Sequence, residues 1–232
     1  MGRAFMKITW LGQAGLLLDN GQTKIMVDPY LSNSIGEGDP KKFRRVPVKE
    51  ELFRIEPDLM IFTHDHLDHY DPKTAPVFLG EGRKPMTVLC PSSVWQKARK
   101  HGKEHNYVLF DKGTEWTEGG FRFRAISAAH SDPFAIGVVI EELLKKRTYY
   151  VTGDTLYNGE IFKELPDDID IVFLPINGVG NNMNAHDAVR FFERCGARRA
   201  VPYHIGMFDD KTTDIFDDEN KITLEIYKER EL

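Results

Sequence analysis

The sequence predicts an α/β protein in which two β-sheets pack together with helices outside. Two observations support this fold class. Short apolar runs bounded by turn residues recur along the whole 232-residue chain, as expected of β-strands. Segments with helical spacing follow such runs in both halves, and no linker or low-complexity segment divides the chain. The length suits a sizeable core, and we expect a single domain over residues 1–232.

The first half begins with three predicted strands. The second and third are joined at Asn20-Gly21, a strong hairpin signal. Residues 32–45 lack apolar periodicity and predict a long mobile loop. After a short helix at 48–55, a buried strand ends at a cluster of histidines. A further strand and a helix follow, the helix capped by Ser92 or Ser93 and stopped by Gly102.

The second half again contains predicted strands followed by helices. Five strands are predicted between residues 107 and 154, and a short helix at 159–166 leads into a strand. The segment NAHDAVRFFERCG (184–196) has apolar residues at helical spacing and ends in glycine, which predicts a helix. A strand at 198–204 follows, and the tail 222–232 suits either a helix or a strand.

Composition narrows the class of protein. The formal net charge is −5, from 31 basic and 36 acidic residues, so no global positive field favours nucleic acid, although a local basic patch is compatible. No apolar stretch has the length of a membrane span, and the first ten residues lack the pattern of a signal peptide. We expect Cys90 and Cys195 to be buried and reduced. These features together favour a cytoplasmic enzyme.

The segment MIFTHDHLDHYDP (60–72) crowds three histidines and several aspartates at the end of a predicted strand. In an extended chain, residues i and i+2 point the same way, so His64 and His66 can reach one point in space. Asp68 and His69 can form a second group beside them. Imidazole and carboxylate at this density suit zinc, manganese or iron. The alternative is a solvated loop whose histidines only form hydrogen bonds.

A catalytic metal needs three or four protein ligands and an open position, so further donors are expected at other strand ends. Three residues each follow an apolar run: His130, Asp154 and His204. Singly, each is more typical of a hydrogen-bonded structural residue. Together with the first cluster they predict one site.

These residues carry a resemblance to a known family. THDHLDH contains the H-x-H-x-D-H signature of the metallo-β-lactamase-fold hydrolases, and the later His, Asp and His follow that family's order. The match covers nearly the whole chain. Further segments resemble the branch that contains L-ascorbate-6-phosphate lactonase: DPYLS, AAHSDPFAIGVVIE, YYVTGDTLYN, FLPINGVGNNMNAHDAV and AVPYHIGMFD.

The resemblance implies a four-layer αββα sandwich of two similar halves, with a boundary near residues 115–130. It also implies two metal positions that share one bridging residue, Asp154. One position is formed by His64, His66 and His130, and the other by Asp68, His69 and His204. We expect one or two divalent ions per chain, zinc or manganese.

Two such ions can lower the pKa of a shared water, giving a hydroxide nucleophile, and polarise the bond under attack. We assign catalytic roles to Asp68, His64, His66 and Asp154. Asp68 would orient the nucleophile or carry a proton, and with a single ion it would be the general base.

Other residues are candidates for supporting roles. A ligating histidine usually donates its second N–H to a partner, and Asp28 and Asp65 suit that purpose. Asp28 is equally suited to a turn before Pro29. The Gly/Asn-rich segment 177–187 opens a helix whose amides suit a phosphate or sugar hydroxyls, through the residues Asn181, Asn182, Asn184 and His186. Helix capping by Asn184 is the simpler alternative.

A basic cluster in the 32–45 segment contains Lys41, Lys42, Arg44 and Arg45. It is either a solvated charged loop or a lid that recruits an anionic substrate, for which we name Arg44 and Arg45.

The sequence therefore predicts a metal-dependent hydrolase that opens a lactone or related ester of a small, phosphorylated or sugar-like molecule. Two alternatives stay open: a metal-dependent phosphodiesterase or nuclease, and a metal-binding RNA-interaction or regulatory module. We expect a small-molecule substrate and assembly into a homo-oligomer. We expect no membrane partner and no nucleic-acid partner.

Overall fold

The computed structural model of the protein describes residues 5–232. The described residues form two compact units. The first contains the residues up to Leu109 together with Leu224–Leu232, and the second contains Phe110–Thr223. The division falls a few residues before the expected boundary at 115–130, and the C-terminal segment returns to the first unit. That both units form one domain stays a prediction.

The first unit is built on a seven-stranded mixed sheet in the order β13-β1-β2-β3-β4-β5-β6. Its strands are β1 (Lys7–Gly12), β2 (Gly15–Asp19), β3 (Lys24–Val27), β4 (Leu59–Ile61), β5 (Thr87–Cys90), β6 (Asn106–Leu109) and β13 (Glu229–Glu231). The predicted hairpin is confirmed, since β2 and β3 pair antiparallel and Asn20 Oδ1 accepts from the N–H groups of Gln22 and Thr23. β3 to β6 run parallel, so the residues after β3 and β4 leave at one edge of the sheet.

Three short helices belong to this unit: α1 (Ser34–Gly38), α2 (Ala75–Leu79) and α3 (Ser92–Ala98). α3 begins at Ser92, but Pro91 is its N-cap residue and no side chain caps it, so the predicted serine cap is wrong. The helix ends at Ala98, before the predicted end at Gly102. Gly102 instead donates its N–H to the carbonyl of Leu79, at the end of α2. The helix predicted at 48–55 is a 3-10 turn, Glu50–Arg54.

The segment 32–45, predicted to be a long mobile loop, contains two short helical turns. α1 and a 3-10 turn at Pro40–Lys42 occupy it. Side-chain to backbone hydrogen bonds stabilise these turns: the Asp39 carboxylate accepts from Lys41 N, and Asn33 Oδ1 accepts from Arg44 N at 2.9 Å. Such local bonds leave no apolar periodicity, which is why the pattern did not indicate them.

The second unit is built on a six-stranded sheet in the order β12-β11-β10-β9-β8-β7. Its strands are β7 (Glu115–Glu118), β8 (Phe121–Ser127), β9 (Ile136–Glu142), β10 (Arg147–Val151), β11 (Ile169–Pro175) and β12 (Ala197–Tyr203). β7 to β10 are antiparallel, and β10 to β12 are parallel. β8, β10 and β12 therefore run in one direction and end at the same edge.

The principal helix of the second unit is α4 (Ala185–Cys195), as predicted. Asn184 Oδ1 caps it by accepting from Asp187 N at 2.9 Å, and Gly196 ends it with a φ of +71°. Its buried residues recur at helical spacing and pack on β11 and β12: Ala188, Phe191, Phe192 and Cys195. Burial raises the pKa of the Cys195 thiol to about 11, and Cys90 is buried as well, as expected.

Two 3-10 turns and a short C-terminal strand complete the regular structure. The helix expected at 159–166 is a 3-10 turn, Ile161–Lys163, and a further 3-10 turn lies at Thr213–Ile215. Of the tail, only Glu229–Glu231 forms regular structure, as a strand. Within residues 5–232, no helix has the length and apolar character needed to cross a bilayer.

Candidate metal centre

In the first unit, four predicted ligands follow β4 at the edge of the sheet. His64 and His69 are fully buried, whereas His66 and Asp68 are half-buried. The N–H of His69 donates to the carbonyl of His66 at 3.0 Å, which turns the chain and brings both groups of ligands together. A candidate donor atom of His64 lies within 4.8 Å of one on His66 and of one on His69. His69 Nε2 lies 4.0 Å from Asp68 Oδ2. Donors of one tetrahedral zinc ion lie about 3.3 Å apart, so these separations suit ligands of a shared centre.

Asp28 orients this cluster from the end of β3. Its fully buried carboxylate accepts from His69 Nδ1 and from the N–H of Thr63, both at 2.8 Å. A proton held on Nδ1 leaves Nε2 of His69 with the lone pair that a metal needs. The hydrogen bond expected of Asp28 is therefore present. Asp28 also has a φ of +41°, so it turns the chain as well.

Gln13 is a residue that the sequence reasoning missed. It lies between β1 and β2, is 4% exposed, and donates from Nε2 to Asp68 Oδ2 at 2.8 Å. Its φ of +50° is uncommon for a residue with a side chain. A polar residue in the turn LGQAG, between two buried strands, was the available signal.

The second unit contributes its three predicted ligands from parallel strand ends. His130 follows β8, Asp154 follows β10 and His204 follows β12. Asp154 and His204 are buried, and Asp154 Oδ1 lies 3.1 Å from His204 Nε2. Gly153 has a φ of +60°, which allows a tight turn before Asp154. His204 itself has a φ of +63°, a strained conformation of the kind found at functional sites.

The loop of residues 177–184 contacts all three of these side chains. Asn182 Nδ2 donates to Asp154 Oδ2 at 2.7 Å. Asn177 Nδ2 lies 2.9 Å from His204 Nδ1. His130 Nδ1 lies 3.3 Å from the carbonyl oxygen of Asn181. Asn177 was not singled out from the sequence, although the Asn-rich loop that contains it was.

Two residues predicted to bind substrate have other contacts. The Asn184 side chain caps α4 and also donates to Asp187 Oδ2 at 3.0 Å, so the capping alternative describes it. His186 is exposed and lies 3.9 Å from Asp187. Asp65, predicted to support a ligating histidine, forms an ion pair with Lys97 of α3.

The basic cluster needs a correction. Arg44 is 8% exposed, and its guanidinium donates to the carbonyls of Tyr30 and Leu11 and to the Tyr227 hydroxyl. The guanidinium thus joins segments of the first unit. The prediction that Arg44 recruits an anionic substrate is wrong. Its near neighbours in the cluster are exposed: Lys41, Lys42 and Arg45.

The donor set fits a divalent metal. His69 and His130 both have Nδ1 facing an oxygen, of a carboxylate and of a carbonyl, which presents Nε2 as a ligand atom. Mixed imidazole and carboxylate donors suit zinc and manganese.

Comparison with known proteins agrees with this chemistry. Residues 23–205 match the model of the β-lactamase superfamily domain. A UPF0173 protein of Pyrococcus furiosus is 28% identical over 91% of this chain and 89% of its own length. A UPF0173 metal-dependent hydrolase of Thermus thermophilus is 29% identical over 88% of this chain and 85% of its own.

Solved structures show the fold. A metallo hydrolase of Ignicoccus hospitalis has a TM-score of 0.73 at 16% identity, covering 97% of both chains. An isothiocyanate hydrolase from Delia radicum gut bacteria has a TM-score of 0.72 at 18% identity, covering 98% of this chain and 99% of its own. The predicted α/β class with two mixed sheets is therefore confirmed. The chain belongs to the β-lactamase superfamily, and it is a metal-dependent hydrolase with the metallo-β-lactamase fold.

Proposed function

We propose that the protein binds one or two divalent ions, zinc or manganese, and opens a lactone or related ester of a small molecule. The observation that carries this proposal is the hydrogen bonding of the ligand candidates: within each unit the donors follow parallel strand ends, and the rings of His69 and His130 present Nε2. We assign one ion to His64, His66 and His130, and the other to Asp68, His69 and His204, with Asp154 between them.

Bound ions of this kind lower the pKa of water towards neutrality and polarise the oxygen of the bond under attack. The residues of the chain supply orientation and proton transfer. The half-buried Asp68 accepts a hydrogen bond from Gln13, which supports a role for its carboxylate in aligning the attacking water and accepting its proton. His64, His66 and Asp154 place the ions.

The substrate is the finer part of the proposal. The likeness of several segments to the lactonase branch supports a lactone or ester. Lys41, Lys42 and Arg45 are exposed cations close together in sequence, which supports a phosphorylated substrate. Backbone amides of the 177–184 loop and the exposed His186 side chain are further candidates for substrate contact.

We further propose that the enzyme acts in the cytoplasm and as a homo-oligomer. Light scattering of the purified chain tests the oligomeric state, and a single-chain mass would contradict it.

The test combines metal analysis with a substrate panel. We expect one or two equivalents of zinc or manganese per chain and ester-opening activity that is lost on chelation and regained on adding the ion back. Asp154→Ala should lose both metal and activity, whereas Asp168→Ala, at a side chain 88% exposed, should keep both.

The panel contains phosphorylated lactones, neutral lactones and phosphodiesters. Full activity of metal-free protein would contradict the metal centre. Hydrolysis of phosphodiesters alone would favour the phosphodiesterase alternative, and RNA binding that survives His64→Ala would favour the regulatory one.

A further inference from the structure

We propose that the loop of residues 177–184 positions the metal ligands, and that Asn182 and Asn177 do so through their side-chain amides. The sequence indicated this loop as a substrate-binding segment, and three of its described contacts are with ligand candidates. The inference rests on the proposed metal centre and assigns these residues a role in it.

The loop is closed by its own backbone. Gly178 N donates to the carbonyl of Met183 at 3.0 Å, and Met183 N donates to the carbonyl of Thr155 at 2.9 Å, directly after Asp154. Gly178 has a φ of +67°, and a Cβ there would lie 3.1 Å from the Cβ of Asn184. A loop tied in this way holds its side chains in place, which a positioning role requires.

Asn182 determines how the Asp154 carboxylate is turned. It donates to Oδ2 at 2.7 Å, and the other oxygen, Oδ1, lies 3.1 Å from His204 Nε2. One oxygen of Asp154 is thus bound by the amide, and the other faces the ring nitrogen that we assign to the metal. A hydrogen bond to an ionised carboxylate in a buried place is among the stronger ones.

The burial of Asn182 also supports a role in holding Asp154. The residue is 6% exposed, and its Oδ1 has no hydrogen-bond partner among residues 5–232. A buried amide oxygen left in this state opposes folding, so the burial of Asn182 calls for a compensating contact. Its bond to Asp154 is the contact that accounts for its position.

Asn177 acts on His204 from the opposite side. Its Nδ2 lies 2.9 Å from Nδ1, while Asp154 Oδ1 lies 3.1 Å from Nε2. For Nε2 to bind a metal, the ring proton must sit on Nδ1, and the Asn177 amide supports this tautomer by turning its oxygen towards Nδ1. The third ligand, His130, is contacted through the Asn181 carbonyl, a backbone group that any residue would supply.

The experiment measures metal affinity rather than activity alone. Asn182→Ala and Asn177→Ala are made in the full chain, with Asn158→Ala as control, since Asn158 is an exposed turn residue of the same unit. The zinc dissociation constant is measured by competition with a chromophoric chelator, and the visible spectrum is recorded for the Co²⁺-loaded protein. We expect about 10- to 100-fold weaker zinc binding for both test variants, with altered Co²⁺ spectra, and wild-type behaviour for the control.

The outcomes separate this inference from the proposed function. Wild-type zinc affinity and an unchanged Co²⁺ spectrum in both test variants would overturn the positioning role. A raised KM with unchanged zinc affinity would also overturn it and return the loop to substrate binding. If the wild-type chain binds no divalent ion, the proposed function fails and this inference with it. Should Asn182→Ala not fold, as judged by circular dichroism, Asn182→Ser and Asn177→Ala decide.

Discussion

Nδ1 of His69 lies 2.8 Å from Oδ2 of Asp28, and both side chains are fully buried. The two residues are far apart in sequence and meet because β3 and β4 are parallel neighbours, with Val27 paired to Ile61. Asp28 follows β3 directly, and His69 follows the turn after β4. The pairing therefore couples the sheet to the orientation of a predicted ligand.

Asp28→Asn tests this coupling. The substitution keeps the shape, and asparagine tolerates the positive φ at this position. It places an amide where a carboxylate accepts three hydrogen bonds, from His69 and from the N–H and hydroxyl of Thr63. We expect the free energy of unfolding to fall by about 1–3 kcal/mol and zinc affinity to fall about 10- to 100-fold. Urea unfolding with chelator present and zinc titration measure the two effects.

Asp168→Asn is the matched control, because its side chain is 88% exposed, and it should change neither quantity. Unaltered zinc affinity in Asp28→Asn would show that this hydrogen bond does not support a metal ligand.

Alanine substitutions of Arg44 and Arg45 should have very different effects on the free energy of unfolding. Arg44→Ala removes a buried guanidinium that bonds two carbonyls and the Tyr227 hydroxyl, so we expect a loss of about 3 kcal/mol in the free energy of unfolding. Arg45 is exposed, and Arg45→Ala should change stability by less than about 0.5 kcal/mol. Under the proposed function it should raise KM for phosphorylated substrates only. Equal effects on neutral analogues would remove Arg45 from substrate binding.

Asn184→Ala separates capping from substrate contact. Because Asn184 Oδ1 accepts from Asp187 N at the start of α4, we expect thermal or urea unfolding to show a loss of about 1 kcal/mol. Asn184→Ser should recover most of it, since serine also caps. A raised KM without loss of stability would instead indicate contact with substrate.

His105 should make the stability of the protein depend on pH. Burial lowers the pKa of His105, outweighing Glu104, which raises it, and its Nδ1 accepts from Met86 N at 3.3 Å. Below the usual histidine pKa the unfolded chain therefore binds a proton that the folded chain resists. The free energy of unfolding should accordingly fall as the pH is lowered from 7.5 to 5.5.

His105→Gln should lose less stability over this interval than the wild type, in urea unfolding with chelator present. His186→Gln, at an exposed side chain, should follow the wild type. The same pH dependence in His105→Gln as in the wild type would contradict the assignment.

Much of the fold could be predicted from local pattern. Alternating apolar runs located the strands, and α4 was found with its cap and its terminating glycine because an 11-residue amphipathic helix leaves a clear period. α1 and α2, with five residues each, do not, since one turn of helix is too short to show a period. In α1 the N–H of Ile35 donates to the Tyr30 hydroxyl at 3.4 Å, and at the end of α2 the carbonyl of Leu79 accepts from the N–H of Gly102. No local pattern records such contacts.

The reaction class follows from the amino-acid sequence alone, because seven His and Asp residues at strand ends indicate metal-assisted hydrolysis whatever the exact geometry. The sequence does not show which polar residues support them. Gln13, Asn177 and Asn182 do so through contacts that depend on strand order and loop closure. The three-dimensional fold was needed to learn that Asp28 bonds a ligand while Asp65 pairs with a surface lysine, and that Arg44 is buried next to an exposed Arg45. The role of a side chain depends on the partner that it meets on burial, and distant parts of the chain supply that partner.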